Sequence, residues 1–232
     1  MTIKQFEDLI INELTKVVDS IIKANLTLNI SAKSRAGAEI SDWLEEKFVE
    51  LTKKHKYFHN SEAAPKGSTK NPWDARTKFK IDKVEEELWI DFKAFKITSV
   101  DSNPDIGTPN KIIKLINDGN FYHAFIHVFY ESESNGLKFV TLNGGYTKLY
   151  FLKNISSTFR RNPKNQLQVN ISAPSEYRTR EEFIKLLITK IKESHERQIK
   201  ISKKALKGID EVEKLLLESN KKSEKELSKK IR

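Results

Sequence analysis

Apolar side chains recur at steps of three and four along residues 3–23. Phe6, Leu9, Ile10, Leu14, Val17, Val18, Ile21 and Ile22 form one stripe, which predicts an amphipathic helix. A polar break follows over 24–36 and ends in SRAG. From about Gly37 a second stripe, Ile40, Trp43, Leu44, Phe48 and Leu51, predicts a second helix. HNSEAAPKGSTKNPW (59–73) has the composition of a loop. Strands are predicted near 78–82 and 87–97, with DKVEE turning between them. VDSNPDIGTPN (100–110) holds two prolines and a glycine and reads as an irregular loop, followed by a helical stretch over 110–117. FYHAFIHVFY (121–130) is aromatic and β-branched, the pattern of a buried strand, and LKFVTL (137–142) is its partner across SESNG. TKLYFLKNI and QLQVNI (166–171) read as further, less regular strands. From about Thr179 the pattern is helical almost to the end. Ile184, Leu187, Ile188, Ile191 and His195 form a stripe that Ile209, Val212, Leu215 and Leu216 continue after Gly208, before a frayed last dozen residues. This order predicts an α/β or α+β domain over 1–178 with a helical C-terminal arm over 179–232.

Composition narrows the setting. Hydrophobic residues make up 38% of the 232, and charged residues 32%, so much of the surface must be charged helix. The absence of cysteine excludes disulfides and thiolate metal sites and fits a reducing cytoplasm. No apolar run approaches the roughly 18 residues of a membrane span. MTIKQFEDLI lacks a basic-then-apolar signal pattern, so a soluble cytoplasmic protein is expected. A net charge of +10 and a pI near 9.5 point to a polyanionic partner, nucleic acid being the commonest. A lysine-rich bias with no such partner is the plainer reading.

WIDFKAFK (89–96) carries the candidate chemistry. In a strand, Leu88, Ile90, Phe92 and Ala94 share one face, and Trp89, Asp91, Lys93 and Phe95 the other. Asp91 and Lys93 are then neighbours about 7 Å apart along the strand. Folding the hairpin can bring Asp74 beside Asp91, with Asp82 a rival acid inside the hairpin and Glu39 a third acid on the second helix. Phosphodiester hydrolysis needs such groups. Mg²⁺ takes one or two carboxylates plus other oxygens, which Asp74, Asp91 and the Phe92 carbonyl would supply. Lys93, beside two carboxylates, stays an ammonium and acts electrostatically. The competing structural reading is a salt bridge on an exposed sheet face. Glu45–Lys47 also fits the acid-x-lysine pattern, but on a helix, where it reads as a solvated face.

Asp74 followed by Asp91-Phe92-Lys93 resembles the active site of the PD-(D/E)xK nuclease superfamily. SNPDIGTPN (102–110) resembles the loop after the catalytic strand in type II restriction endonucleases of the HpaI and HincII group. RTREEFIKLLITKIKESHERQIKISKK (178–204) is similar to the C-terminal helix of that group, and RAGAEISDWLEEKF to its upstream helix with an embedded glutamate. The resemblance implies a mixed central sheet flanked by helices, with the long helical arm at the C-terminus. It implies a homodimer that cuts a short palindromic DNA duplex with Mg²⁺, leaving blunt 5′-phosphate ends, with no organic cofactor. Transferred by position, Asp74, Asp91 and Lys93 are the catalytic set, and Asn110, with Ser102 and Asn103, contacts bases or the groove. Pro72 is separated from Asp74 by Trp73, so no literal Pro-Asp pair is present.

Other features are less specific. Arg160, Arg161 and Lys164 form a basic turn that could grip phosphate, as could Lys66 and Lys70 beside Gly67 and Ser68. NGGY (143–146) reads as a hairpin turn. His123 and His127 share a strand face with Phe125, so packing is expected for them. Two rival functions stay open: a repair or structure-selective nuclease of the same fold, and a non-catalytic basic DNA-binding or coiled-coil protein.

Overall fold

A computed structural model describes residues 1–30, 36–65, 71–98, 103–119, 122–162 and 166–231. The expectations placed on Lys66, Lys70, Ser102 and Lys164 lie outside the described residues.

Helix α1 (Ile3–Ala24) opens with a reciprocal cap. The Thr2 hydroxyl accepts from the Gln5 N–H at 3.2 Å, and the Gln5 side chain accepts from the Thr2 N–H at 2.8 Å. After the short strand β1 (Thr27–Leu28), helix α2 (Gly37–Thr52) buries Ile40, Leu44 and Phe48. Leu51, expected on that stripe, is exposed. Thr52 takes the buried position, its hydroxyl donating to the Phe48 carbonyl at 2.6 Å.

Strand β2 (Phe58–Ala63) occupies part of the run expected to be loop. It is the outer strand of its sheet, pairs among the described residues only with β3 (Ala75–Ile81), and carries His59, Asn60, Ser61 and Glu62. Edge strands tolerate such polar residues, which hides them among loops. A two-residue turn, Asp82–Lys83, with Asp82 in the left-handed region at φ 51°, joins β3 to β4 (Val84–Lys96). Both strands start earlier than their pattern suggested. The loop after β4 contains a short strand, β5 (Asp105–Gly107). Helix α3 (Pro109–Asn117) follows, with the Thr108 hydroxyl accepting from the Lys111 N–H at 3.3 Å.

Strand β6 (His123–Glu133) turns into β7 (Gly136–Phe139), which pairs β1 so closely that a side chain at Gly136 would collide with the Leu28 carbonyl. Then come β8 (Thr147–Phe151), a 3₁₀ turn (Leu152–Asn154), β9 (Arg160–Arg161), β10 (Leu167–Gln168) and helix α4 (Arg180–Ile231).

The main sheet runs β1–β7–β6–β4–β3–β2, with β8 also on β6. Among the described strands only β4 and β6 pair in parallel, as the crossover through β5 and α3 requires. β5, β10 and β9 form a separate three-stranded sheet. The expected mixed sheet flanked by helices is thus present. Helices α1 and α2 cover one face of the main sheet, packing on Leu88, Ile90, Phe92, Ala124, Ile126 and Val128. The other face carries Trp89, Asp91 and Lys93 from β4 beside His123, Phe125, His127 and Phe129 from β6.

The chain divides into residues 1–184 and 185–232. Helix α4 runs unbroken through Gly208 to Ile231, so residues 221–231 of the stretch expected to fray are helical. Among the described residues no helix is long and apolar enough to cross a membrane.

Candidate active site

The β3–β4 register sets the centre of the site. Ala75 opposes Ile90, so Asp74, one residue earlier, falls opposite Asp91. The Asp74 N–H donates to the Ile90 carbonyl at 2.8 Å, and the Ala64 N–H donates to the Asp74 carbonyl at 2.7 Å. Asp74 Oδ2 accepts from the Phe92 N–H at 2.7 Å. The Ser41 hydroxyl, on α2, lies 3.2 Å from Asp74 Oδ2 and 3.3 Å from the Phe92 carbonyl, and donates to one at a time. Asp91 is buried, and its Oδ1 is ion-paired to Lys93 Nζ. The structure therefore brings Asp74, Asp91, Lys93 and the Phe92 carbonyl together.

Electrostatics follow from that crowding. Burial, then the Asp91 charge, push the Asp74 carboxyl up, against the pull of Lys93 and the Phe92 N–H. For Lys93 the largest influence is burial, which lowers its ammonium. Asp91, Asp74 and Asp105 together outweigh it, and the net shift is upward. Glu45 on α2 is buried and pushed up to about 8, first by loss of water and then by Asp74, Asp42 and Asp91. Glu45 is therefore the helical acid that faces the site. Glu39, the residue expected there, is exposed on the opposite flank of the Ile40–Leu44–Phe48 stripe. Asp82 is excluded as a rival ligand because it forms the far turn of the hairpin. Among the described residues no three His, Cys, Asp or Glu side chains gather closely enough to hold a metal by themselves.

Behind Lys93, His127 is fully buried and shares a 2.6 Å hydrogen bond with the Tyr150 hydroxyl. Burial lowers His127 to about 3 and His123 to about 4, so both stay neutral and pack as expected.

A model of the SwaI restriction endonuclease matches residues 2–209. The chain belongs to the SwaI-like restriction endonuclease family. Family membership makes it a DNA-binding nuclease and bears out the earlier resemblance at the level of restriction endonucleases. The solved structure of the NlaIV restriction endonuclease is similar at a TM-score of 0.46 and 15% identity, covering 82% of this chain and 80% of that one. No curated protein matches significantly.

Several expected DNA contacts of this restriction endonuclease lie outside the carboxylate cluster itself. Asn110 is exposed in the first turn of α3. Asn103 and Arg160 line a polar recess with Thr158, Gln168 and Asn170. Arg161 is half-buried on β9. NGGY makes a tight turn in which Leu142 and Gly145 bridge and Asn143 and Gly144 have positive φ.

Sequence reasoning missed Glu45 because it shares an acid-x-lysine triplet with Lys47. The available signal was its place four residues after Ser41, on the flank of the buried stripe where Phe48 meets Phe92 at 6.1 Å.

Proposed function

We propose that this restriction endonuclease is a Mg²⁺-dependent type II enzyme. It acts as a homodimer within a restriction–modification system, cutting both strands of a short palindrome and leaving 5′-phosphate ends. The observation that carries this reading is the convergence of Asp74, Asp91, Lys93 and the Phe92 carbonyl at the end of the β3–β4 hairpin away from its turn.

The donors suit the ion. All are hard oxygens, and two carboxylates with a carbonyl match Mg²⁺, which keeps several waters and uses few protein ligands. The crowding that pushes up Asp74 and Glu45 is also what a divalent cation would relieve. Asp74, Asp91 and the Phe92 carbonyl would hold it. When bound, the ion lowers the pKa of a coordinated water and offsets charge on the reacting phosphate.

The protein groups have separate tasks. Asp74 is oriented by the Phe92 N–H and Ser41. Lys93, kept as an ammonium by its carboxylate neighbours, stabilises negative charge on the attacking and phosphate oxygens rather than accepting a proton. Asp91 holds that ammonium beside the reaction centre.

The test is incubation of the purified protein with a long phage duplex and Mg²⁺, repeated with Ca²⁺ and with Asp91→Ala. Discrete fragments are expected from the Mg²⁺ reaction alone. A smear or no cutting with any divalent ion sinks the reading, and cutting confined to junctions or flaps moves it to a structure-selective nuclease. Sedimentation of the full chain tests the dimer.

A further inference from the structure

The sheet of β5, β10 and β9 has two unlike faces. Along QLQVNI, Leu167, Val169 and Ile171 are buried, and Gln168 and Asn170 alternate with them. Ile106 on β5 and Phe159, just before β9, are buried as well. Registry places the other side chains in rows. Gln168 opposes Arg160 on one side and Asp105 on the other. Two residues along, Asn170 falls between Thr158 and Asn103, and the Val169 N–H bonds the Pro104 carbonyl at 3.1 Å. These side chains are not scattered: Asn103, Thr158, Arg160, Gln168 and Asn170 line one open recess of about 330 Å³.

The recess has the chemistry of a reading surface. A phosphate grip wants lysines and arginines, whereas the recess is lined by three amides, a hydroxyl and a single guanidinium, and the Asp105 carboxylate shares the row with Gln168. Amides present a donor and an acceptor side by side, the pattern that pairs with base edges. Some polar groups nearby are already used. Asn162 donates to Asp105 at 3.1 Å and accepts from the Gln166 N–H at 2.9 Å, so that carboxylate is already engaged. Asn170 Oδ1 accepts from the Ser172 N–H at 3.1 Å, which fixes its amide. Three strands span about 10 Å, within the roughly 12 Å width of the major groove. The face is also near the chemistry, since β5 follows the catalytic strand in sequence and Asp105 acts electrostatically on Lys93.

We propose that this face, through Gln168 and Asn170 with Asn103, Thr158 and Arg160, reads base edges in the major groove and sets which duplex is cut. The inference rests on the nuclease reading above, and it adds residues that determine specificity. Asparagine and glutamine match the adenine edge, so A·T pairs are the positions read by Gln168 and Asn170.

The test uses the full chain and the variants Gln168→Ala and Asn170→Ala. Their neighbours Leu167, Val169 and Ile171 stay in place, so melting temperature should hold. A randomised duplex library is first selected for binding in Ca²⁺ and sequenced, then for cleavage in Mg²⁺. The native protein should enrich one sequence. Each variant should lose about 5- to 150-fold preference at one or two A·T positions and keep the native dependence on Mg²⁺ concentration. Variants that select and cut the same sequences with native preference overturn the proposal. The binding arm keeps the two readings apart. A native protein that selects a sequence but never cuts refutes the nuclease reading alone, and one that selects no sequence refutes this inference.

Discussion

Two acid–lysine pairs with buried acids in residues 1–184 invite comparison. Glu7 and Lys153 meet at 2.7 Å, and both are almost wholly buried. Lys153 also donates to the Arg178 carbonyl and to Asn154 Oδ1, and sits 4.4 Å from the Tyr177 ring centre. Its donors are used up within the fold. Asp91 and Lys93 form the other pair, but Lys93 keeps a third of its side chain exposed and faces an excess of carboxylates. The closed pair joins α1 to the 3₁₀ turn after β8. The open pair stores unbalanced charge at a surface that a cation and a phosphate can complete. A buried ion pair is therefore not one kind of feature. The number of remaining partners decides whether it serves folding or chemistry.

The largest expected effect comes from removing the open pair's acid. Asp91→Ala should lower cleavage by about 10³-fold, or about 4 kcal/mol in the barrier, while the thermal midpoint stays close to native. A variant that cuts at the native rate would place the chemistry elsewhere. The closed pair should behave in reverse. Glu7→Ala leaves a buried ammonium uncompensated and should cost about 3 kcal/mol of stability, read as a lower urea midpoint. Cleavage per folded molecule in the cold should be unchanged, and a loss below 1 kcal/mol would make this pair no different from a surface one.

Acid sharpens the comparison further. His127 is held at about 3 in the folded chain, against about 6.5 unfolded. Its contribution is complete above pH 6.5 and lost as pH falls toward 3, because the unfolded state then binds the extra proton. Between pH 7 and 5 the native protein should lose about 2 kcal/mol more than His127→Gln, measured by urea unfolding at both values. Equal losses would mean that the imidazole is already charged in place. The smallest effect is reserved for Glu39→Gln, which should leave stability within about 0.5 kcal/mol and cleavage intact. Glu45→Gln should slow cleavage, and equal behaviour of the two would undo the reassignment.

Much of this site was legible in sequence because strands obey a strict period. Asp91 and Lys93 share a face in any strand, and Asp74 meets Asp91 once the hairpin turn is near 82–83. The helical acid was harder. Glu39 and Glu45 lie on one helix, and only the rotation that seats Phe48 against Phe92 shows which of them points inward. The polar rows of β5, β9 and β10 were harder still. These strands have two or three residues each, and the register of β5 on β10 joins residues 60 to 63 apart (Leu167 with Gly107, Gln168 with Asp105), invisible to local periodicity. Edge strand β2 was lost for a different reason, since its composition is that of a loop.

The Asp82–Lys83 turn has a practical use. It lies about seven residues along the hairpin from the Asp74–Asp91 rung, a reach of about 25 Å. Since the chain contains no cysteine, a single thiol introduced as Lys83→Cys would be unique. A fluorophore attached there would report on DNA arrival from a vantage point clear of the scissile phosphate.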